Sequence, residues 1–171
     1  MRSVLAAFAR LGADARSTRD PADVLAADLA VLPGVGAAAS AMRELRERGL
    51  DRALRSRVGA GGSTLGICLG LQLSLEESEE DGGVAGLGLL PGRSVRLQEG
   101  RVPRMGWARV EPGGEAFYFA HSYTAETSAA TARSEGIVAV AEAGSFLGVQ
   151  FHPEKSGPAG ARFLARCLSR A

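Results

Sequence analysis

The chain has 171 residues, enough for one domain with a core of its own. Its 20 Lys and Arg against 19 Asp and Glu leave a net charge of +1, which speaks against a dedicated nucleic-acid or membrane surface. Two cysteines make no disulfide framework and two histidines no structural zinc site, so a reducing compartment, the cytoplasm, is expected, with no metal and no cofactor.

Val4, Leu5, Phe8 and Leu11 recur at helical spacing and predict an amphipathic helix over 3–11, ended by Gly12, rather than a leader segment. Residues 27–32 form a short apolar run halted by Pro33-Gly34, which reads as a buried strand opening into a glycine-flanked loop, Gly34-Val35-Gly36. Helices are predicted over 37–48 and 51–58, the first ended by Gly49 and the second by the glycine-rich stretch at 59–62. Residues 63–67 are again a short apolar strand, with a helix beginning just after Cys68. This alternation implies an α/β fold, a parallel sheet covered by helices on both faces. The second half changes character: strands at 93–97, 117–120, 130–133, 137–141 and 146–151 suggest an antiparallel or mixed portion. A helix over 158–168, with Ala161, Leu164, Ala165 and Leu168 on one face, closes the chain. No repeat or low-complexity linker divides it, so residues 1–171 are expected to form a single domain.

Two short motifs carry chemistry. Gly66-Ile67-Cys68-Leu69-Gly70 lies between a predicted strand and a predicted helix, the spacing of a nucleophile elbow with cysteine in place of serine. There the side chain is thrust out at the strand's end, and a helix N-terminus favours its thiolate. Phe151-His152-Pro153-Glu154 ends another strand. In extended chain residues two apart point the same way, so Glu154 can hold the second ring nitrogen of His152 and leave the first free to move protons. His121 is the rival base but has no carboxylate two residues on. Cys167 reads as a small buried hydrophobe. An acyl-enzyme needs oxyanion donors, and the N–H of Leu69 beside the nucleophile is one. The 34–36 loop, at the strand edge where ligands of α/β sheets gather, could supply the second.

Together these motifs resemble the class I glutamine amidotransferases, with Gly66-Ile67-Cys68-Leu69-Gly70-Leu71-Gln72-Leu73 as their elbow and His152 and Glu154 as their His–Glu pair. Several stretches are similar to one branch, the glutaminase subunits of imidazole glycerol phosphate synthases. They are Leu32-Pro33-Gly34-Val35-Gly36, Gly86-Leu87-Gly88-Leu89-Leu90-Pro91-Gly92, Met105-Gly106-Trp107, Phe117-Tyr118-Phe119-Ala120-His121-Ser122-Tyr123 and His152-Pro153-Glu154-Lys155-Ser156-Gly157. The resemblance implies a flavodoxin-like fold, a mostly parallel sheet flanked by helices. It also implies a two-step glutamine hydrolysis through a Cys68 thioester, with Cys68, His152 and Glu154 as the catalytic triad. Gly34, Val35, Gly36, Leu69, Gln72, Glu80, Ser122 and Tyr123 would meet the substrate. Glu80 otherwise belongs to a solvated acidic run. The ammonia would pass to a cyclase subunit, a TIM barrel, in a heterodimer of histidine biosynthesis, with Met105, Trp107 and Lys155 as partner contacts. Outside that role, Met105 and Trp107 would be core residues and Lys155 a surface lysine. The alternatives are the glutaminase of another class I amidotransferase and a truncated, non-catalytic binding relative.

The sequence departs from the branch in three places. Arg104 and Ala108 flank Met-Gly-Trp where His and Asn are usual, and the segment between Arg109 and Phe117 is short. The branch also opens on a strand and a Tyr-Gly-x-Gly-Asn loop, whereas this sequence begins at the first helix, so a start upstream of Met1 is expected. With that strand placed internally in a flavodoxin-like order, the strands at 27–32 and 63–67 would stand about two strand spacings apart, or pair only by distorting their helices.

Overall fold

The computed structural model describes residues 2–98, 100 and 102–171. The helices are α1 (Arg2–Arg10), α2 (Pro21–Ala26), α3 (Ala38–Glu47), α4 (Leu50–Gly59), α5 (Leu69–Ser74) and α6 (Gly157–Ser169). The strands of the first half are β1 (Ala30–Gly34), β2 (Thr64–Cys68), β3 (Glu77–Ser78), β4 (Val84–Ala85) and β5 (Arg93–Arg96). Those of the second are β6 (Arg104–Val110), β7 (Glu115–His121), β8 (Tyr123–Glu126), β9 (Ala130–Ser134), β10 (Ile137–Ala143) and β11 (Phe146–Val149). The central sheet has the order β1-β2-β11-β10-β9. β1, β2 and β11 run parallel, and β10 pairs antiparallel with both β11 and β9. A smaller sheet, β4-β3-β5-β8, and the hairpin β6-β7 lie beside it.

The expected gap between the first two strands does not occur. β1 and β2 are neighbours in full parallel register, from Ala30 opposite Thr64 to Gly34 opposite Cys68, and α3 and α4 are regular. The ladder also runs through Pro33, two residues past the predicted strand end. The Ala30 N–H donates to Ser63 O, so the even-numbered residues of β1 face β2. Pro33 then falls on the outer row of an edge strand, where a missing N–H breaks no bond. α2 was not expected, although its start is written in the chain: Asp20 caps it by accepting the Ala22 N–H at 2.9 Å, and Pro21 occupies the first helical position.

β2 is buried along its whole length because both faces of the sheet are covered. On one side Val4 and Phe8 of α1, Phe163 and Leu164 of α6, and Phe117 and Phe119 of β7 pack on Leu65, Ile67 and Val149. Phe117 stacks on Phe151 with ring centroids 4.1 Å apart. On the other side Met42, Leu45, Leu54, Leu69 and Leu73 form a second cluster around Leu32. Each large aliphatic or aromatic side chain so buried contributes roughly 1.5–3 kcal/mol. The packing fixes the carboxyl ends of β1, β2 and β11 at one rim, which is where the chemistry-bearing residues fall.

Candidate active site

Cys68 is the last residue of β2 and the cap of α5, with φ 53° and ψ −104°. A non-glycine residue in that conformation is strained and persists only because its surroundings over-determine it. The flanking glycines are part of that surrounding. A Cβ on Gly70 would lie 1.9 Å from the Leu32 carbonyl oxygen, and one on Gly66 2.7 Å from the Phe146 ring. α5 can therefore press against β1 and turn the sulfur out at the rim only with glycine at both positions. The parallel register places Gly34 directly opposite Cys68, which brings the 34–36 loop beside the nucleophile, with Val35 largely exposed at the rim. Leu69 is the first residue of α5, where N–H groups have no helical acceptor.

His152 is buried, and its Nδ1 lies 2.9 Å from Glu154 Oε1, itself nearly buried. The pairing was expected along an extended strand, but β11 ends at Val149 and residues 153–155 form a 3-10 turn. It is this turn, opened by Pro153, that folds Glu154 back onto the ring. The His152 N–H donates to Tyr118 O at 2.8 Å, and Ser156 Oγ donates to His152 O at 2.7 Å while accepting the Tyr118 N–H at 3.0 Å. Burial pulls the His152 pKa down, but hydrogen bonds to Cys68 and Glu154 and the charge of both outweigh it and raise it to about 9. The ring is thus set up to hold a proton beside the sulfur. His121 is the opposite case. Burial pushes its pKa down to about 4, and Nδ1 is engaged with Tyr123 O at 2.8 Å, so it is neutral at pH 7 and a poor rival base. Burial likewise pushes the Cys167 thiol up to about 11, which leaves it inert.

A Cys–His–Glu constellation at a strand–helix elbow, with the first turn of α5 and the 34–36 loop beside it, has the groups that acyl transfer uses. The sequence model of the family described as glutamine amidotransferase class-I matches residues 4–171. The chain belongs to the class I glutamine amidotransferases. Among its relatives is the imidazole glycerol phosphate synthase subunit HisH of Carboxydothermus hydrogenoformans, 44% identical over 95% of this chain and 90% of the relative. The subunit of the same name from Methanothermobacter thermautotrophicus is 47% identical over 94% of this chain and 88% of the relative. A crystal structure of a glutamine amidotransferase, 22% identical, superimposes with a TM-score of 0.82 over 99% of this chain and 94% of the other. This last likeness supports the fold, an α/β sheet flanked by helices.

In this amidotransferase the remaining expected substrate residues are held in different ways. Gln72 is buried, and its Nε2 donates to Tyr123 O at 2.9 Å. The Ser122 carbonyl accepts from the Leu97 N–H at 2.9 Å, so the carbonyls of both Ser122 and Tyr123 are engaged within the protein. Glu80 is not merely solvated: Oε2 accepts the Ala38 N–H at 2.9 Å, tying the acidic turn to the start of α3, two residues past Gly36. Met105 and Trp107 are 65% and 59% exposed, so the core reading of them fails. They stand on the outward row of β6 with Trp107 edge-on to Tyr118 at 6.1 Å, and the Lys155 ammonium lies 5.9 Å from the same Tyr118 ring. Residues to which the sequence reading gave no role are also present. Ser156 ties the His-Pro-Glu turn to β7, the Ala120 carbonyl lies 3.8 Å from Cys68 Sγ, and Gln150 meets the same sulfur from another side. Gln150 had a signal in the sequence, one amide inside the apolar run Leu147-Gly148-Val149-Gln150-Phe151.

Proposed function

We propose that this chain, as one domain over residues 1–171, is the glutaminase subunit of an imidazole glycerol phosphate synthase in cytoplasmic histidine biosynthesis. Cys68 thiolate attacks the side-chain amide carbon of glutamine. The oxyanion is received by the Leu69 N–H and by the N–H groups of Val35 or Gly36. His152 gives its proton to the departing nitrogen, ammonia leaves, and a thioester remains. His152 then takes a proton from the water that attacks the thioester carbon, the C–S bond breaks, glutamate leaves, and the Cys68 thiolate beside protonated His152 is restored. Glu154 orients the imidazole and stabilises its charged form. Gln72, Glu80 and the Ser122–Tyr123 segment position the substrate, Glu80 doing so while its other oxygen holds α3. No cofactor is required. The observation that carries the reading is the His152–Glu154 pair at 2.9 Å at the same sheet rim as a strained Cys68 at the strand–helix elbow. Among the described residues no helix is long and apolar enough to cross a membrane. The decisive assay follows ammonia release from glutamine, with and without the matching cyclase subunit. Turnover that rises on adding the cyclase supports the reading; no hydrolysis in either condition overturns it.

The partner is a TIM-barrel cyclase in a heterodimer, docked over Met105, Trp107, Tyr118 and Lys155. Two large apolar side chains more than half exposed mark an interaction surface. The patch is joined to the site through the Tyr118 carbonyl on the His152 N–H, so a partner seated there faces the place where ammonia is released. Lys155→Glu is expected to weaken association about tenfold and to reverse its salt dependence, because a rim charge acts mainly on encounter. Titration calorimetry at two salt concentrations checks this, and unchanged affinity with an unchanged salt slope sinks the docking assignment.

A further inference from the structure

We infer that Gln150 is a further catalytic residue, whose side-chain amide donates a hydrogen bond to Cys68 Sγ and holds the sulfur as a thiolate. The inference rests on the reading of Cys68 as the nucleophile and adds to it a donor supplied by a side chain rather than by backbone.

Gln150 is completely buried, and its own N–H is fixed to Ala139 O at 2.9 Å, so the side chain has a rigid base. Its Nε2 lies 3.7 Å from Cys68 Sγ. The identity of the atom facing the sulfur follows from the donors and acceptors around it. The Tyr123 carbonyl can only accept, and it takes its bond from Gln72 at 2.9 Å, so the amino group of Gln72 must lie on that side. The same amino group reaches Gln150 at 3.3 Å, so Gln150 must present its oxygen there. Its remaining terminus, the amino group, then points at the sulfur. The order of the chain is fixed by one backbone carbonyl, with no freedom left to exchange nitrogen and oxygen at either glutamine.

Besides His152, the sulfur therefore has an acceptor on one side and a donor on another. The thiol can donate to Ala120 O at 3.8 Å. The thiolate loses that bond and gains strength in the other, since a donor facing a charged acceptor is held roughly twice as strongly as in a neutral pair. The arrangement accordingly favours ionisation of the sulfur and fixes its direction. A buried amide with no role beyond filling space is an expensive choice just past an apolar strand, where a leucine of similar size would pack without polar groups to satisfy.

The test uses the full chain. Alkylation of Cys68 by iodoacetamide is followed by peptide mass spectrometry from about pH 5 to about pH 10, and the rate reports the thiolate fraction. Cys167, its thiol pushed up to about 11, serves as the internal control. In Gln150→Leu the midpoint of the rate profile is expected to rise by about one pH unit, a roughly tenfold smaller thiolate population near neutrality. Gln150→Glu, which turns a carboxylate toward the sulfur, should raise it further. An unmoved midpoint in either folded variant overturns the role. In the unmutated chain the Gln150 side-chain amide protons should shift in NMR spectra along the same pH profile, and resonances that stay fixed overturn it whether or not the variants fold. A glutamine-analogue inhibitor separates the two levels of the argument. Labelling of Cys167 with Cys68 spared removes the nucleophile reading itself, whereas labelled Cys68 with unmoved midpoints removes only the Gln150 role.

Discussion

Cys68→Ala and Cys68→Ser are each expected to abolish glutamine hydrolysis, by on the order of a millionfold, while the fold survives. No other described side chain can take the sulfur's place. Cys167 is buried on α6 with its thiol held protonated, and His121 is neutral at pH 7 with its Nδ1 engaged by the Tyr123 carbonyl. Fold survival follows from what holds the elbow. Gly66 and Gly70 give α5 its close approach to β1, and Leu65, Ile67, Leu69 and Leu71 supply the packing. Apart from its pairing with His152, the sulfur makes only long contacts, to Ala120 and Gln150. Steady-state ammonia release and a thermal melt on the same preparations check both halves. Residual turnover within a hundredfold of the parent, or labelling of Cys167 by a glutamine-analogue inhibitor while Cys68 is spared, sinks the assignment.

What the sequence could disclose depended on whether the information was local. Cys68 and His152 were legible because their chemistry is written beside them, in glycines two residues either side of the nucleophile and in a carboxylate two residues beyond the base. Even so the reason offered for the second was incorrect: a proline-opened turn, not an extended strand, brings Glu154 back to the ring. Strand composition gave the α/β class, since buried apolar runs alternate with helical periods. It could not give strand order, which is set by packing between distant segments, and so β1 and β2 were expected to stand apart or to pair only with distorted helices, whereas they pair directly and the helices are regular. Met105 and Trp107 show the same limit at the level of one strand. Alternation says that they share a face with each other and not with Arg104, but not which face of the hairpin is covered. Glu80 sat within an acidic run whose polarity hid a specific bond to Ala38, forty-two residues away in sequence. Gln150 was visible as an anomaly, one amide in an apolar strand, and only the coordinates of Gln72, Tyr123 and Cys68 reveal what it faces.

His152→Ala should cost nearly as much as loss of the nucleophile, and Glu154→Gln roughly a hundredfold less, because the imidazole moves the proton while the carboxylate only orients and stabilises it. The pH dependence separates these roles further. His152 is raised to about 9 despite burial, with the hydrogen bonds to Cys68 and Glu154 as the opposing causes. Above that pH the ring loses the proton it must give to the leaving nitrogen, so kcat/KM should fall along an alkaline limb near pH 9. Removing the Glu154 charge removes one raising cause and leaves desolvation in place, so in Glu154→Gln the limb moves to lower pH. The same shift governs stability. A folded-state pKa raised above the unfolded value of about 6.5 contributes stability that is fully present below about pH 6.5 and is lost as pH rises through about 9. Glu154→Gln should therefore narrow the difference between melts at about pH 6 and about pH 9.5 as well as shift the rate profile. The decisive data are kcat/KM against pH for the parent and both variants, measured in the partnered complex. Equal losses for the two variants, or an alkaline limb that stays in place in Glu154→Gln, means that Glu154 does not act through His152.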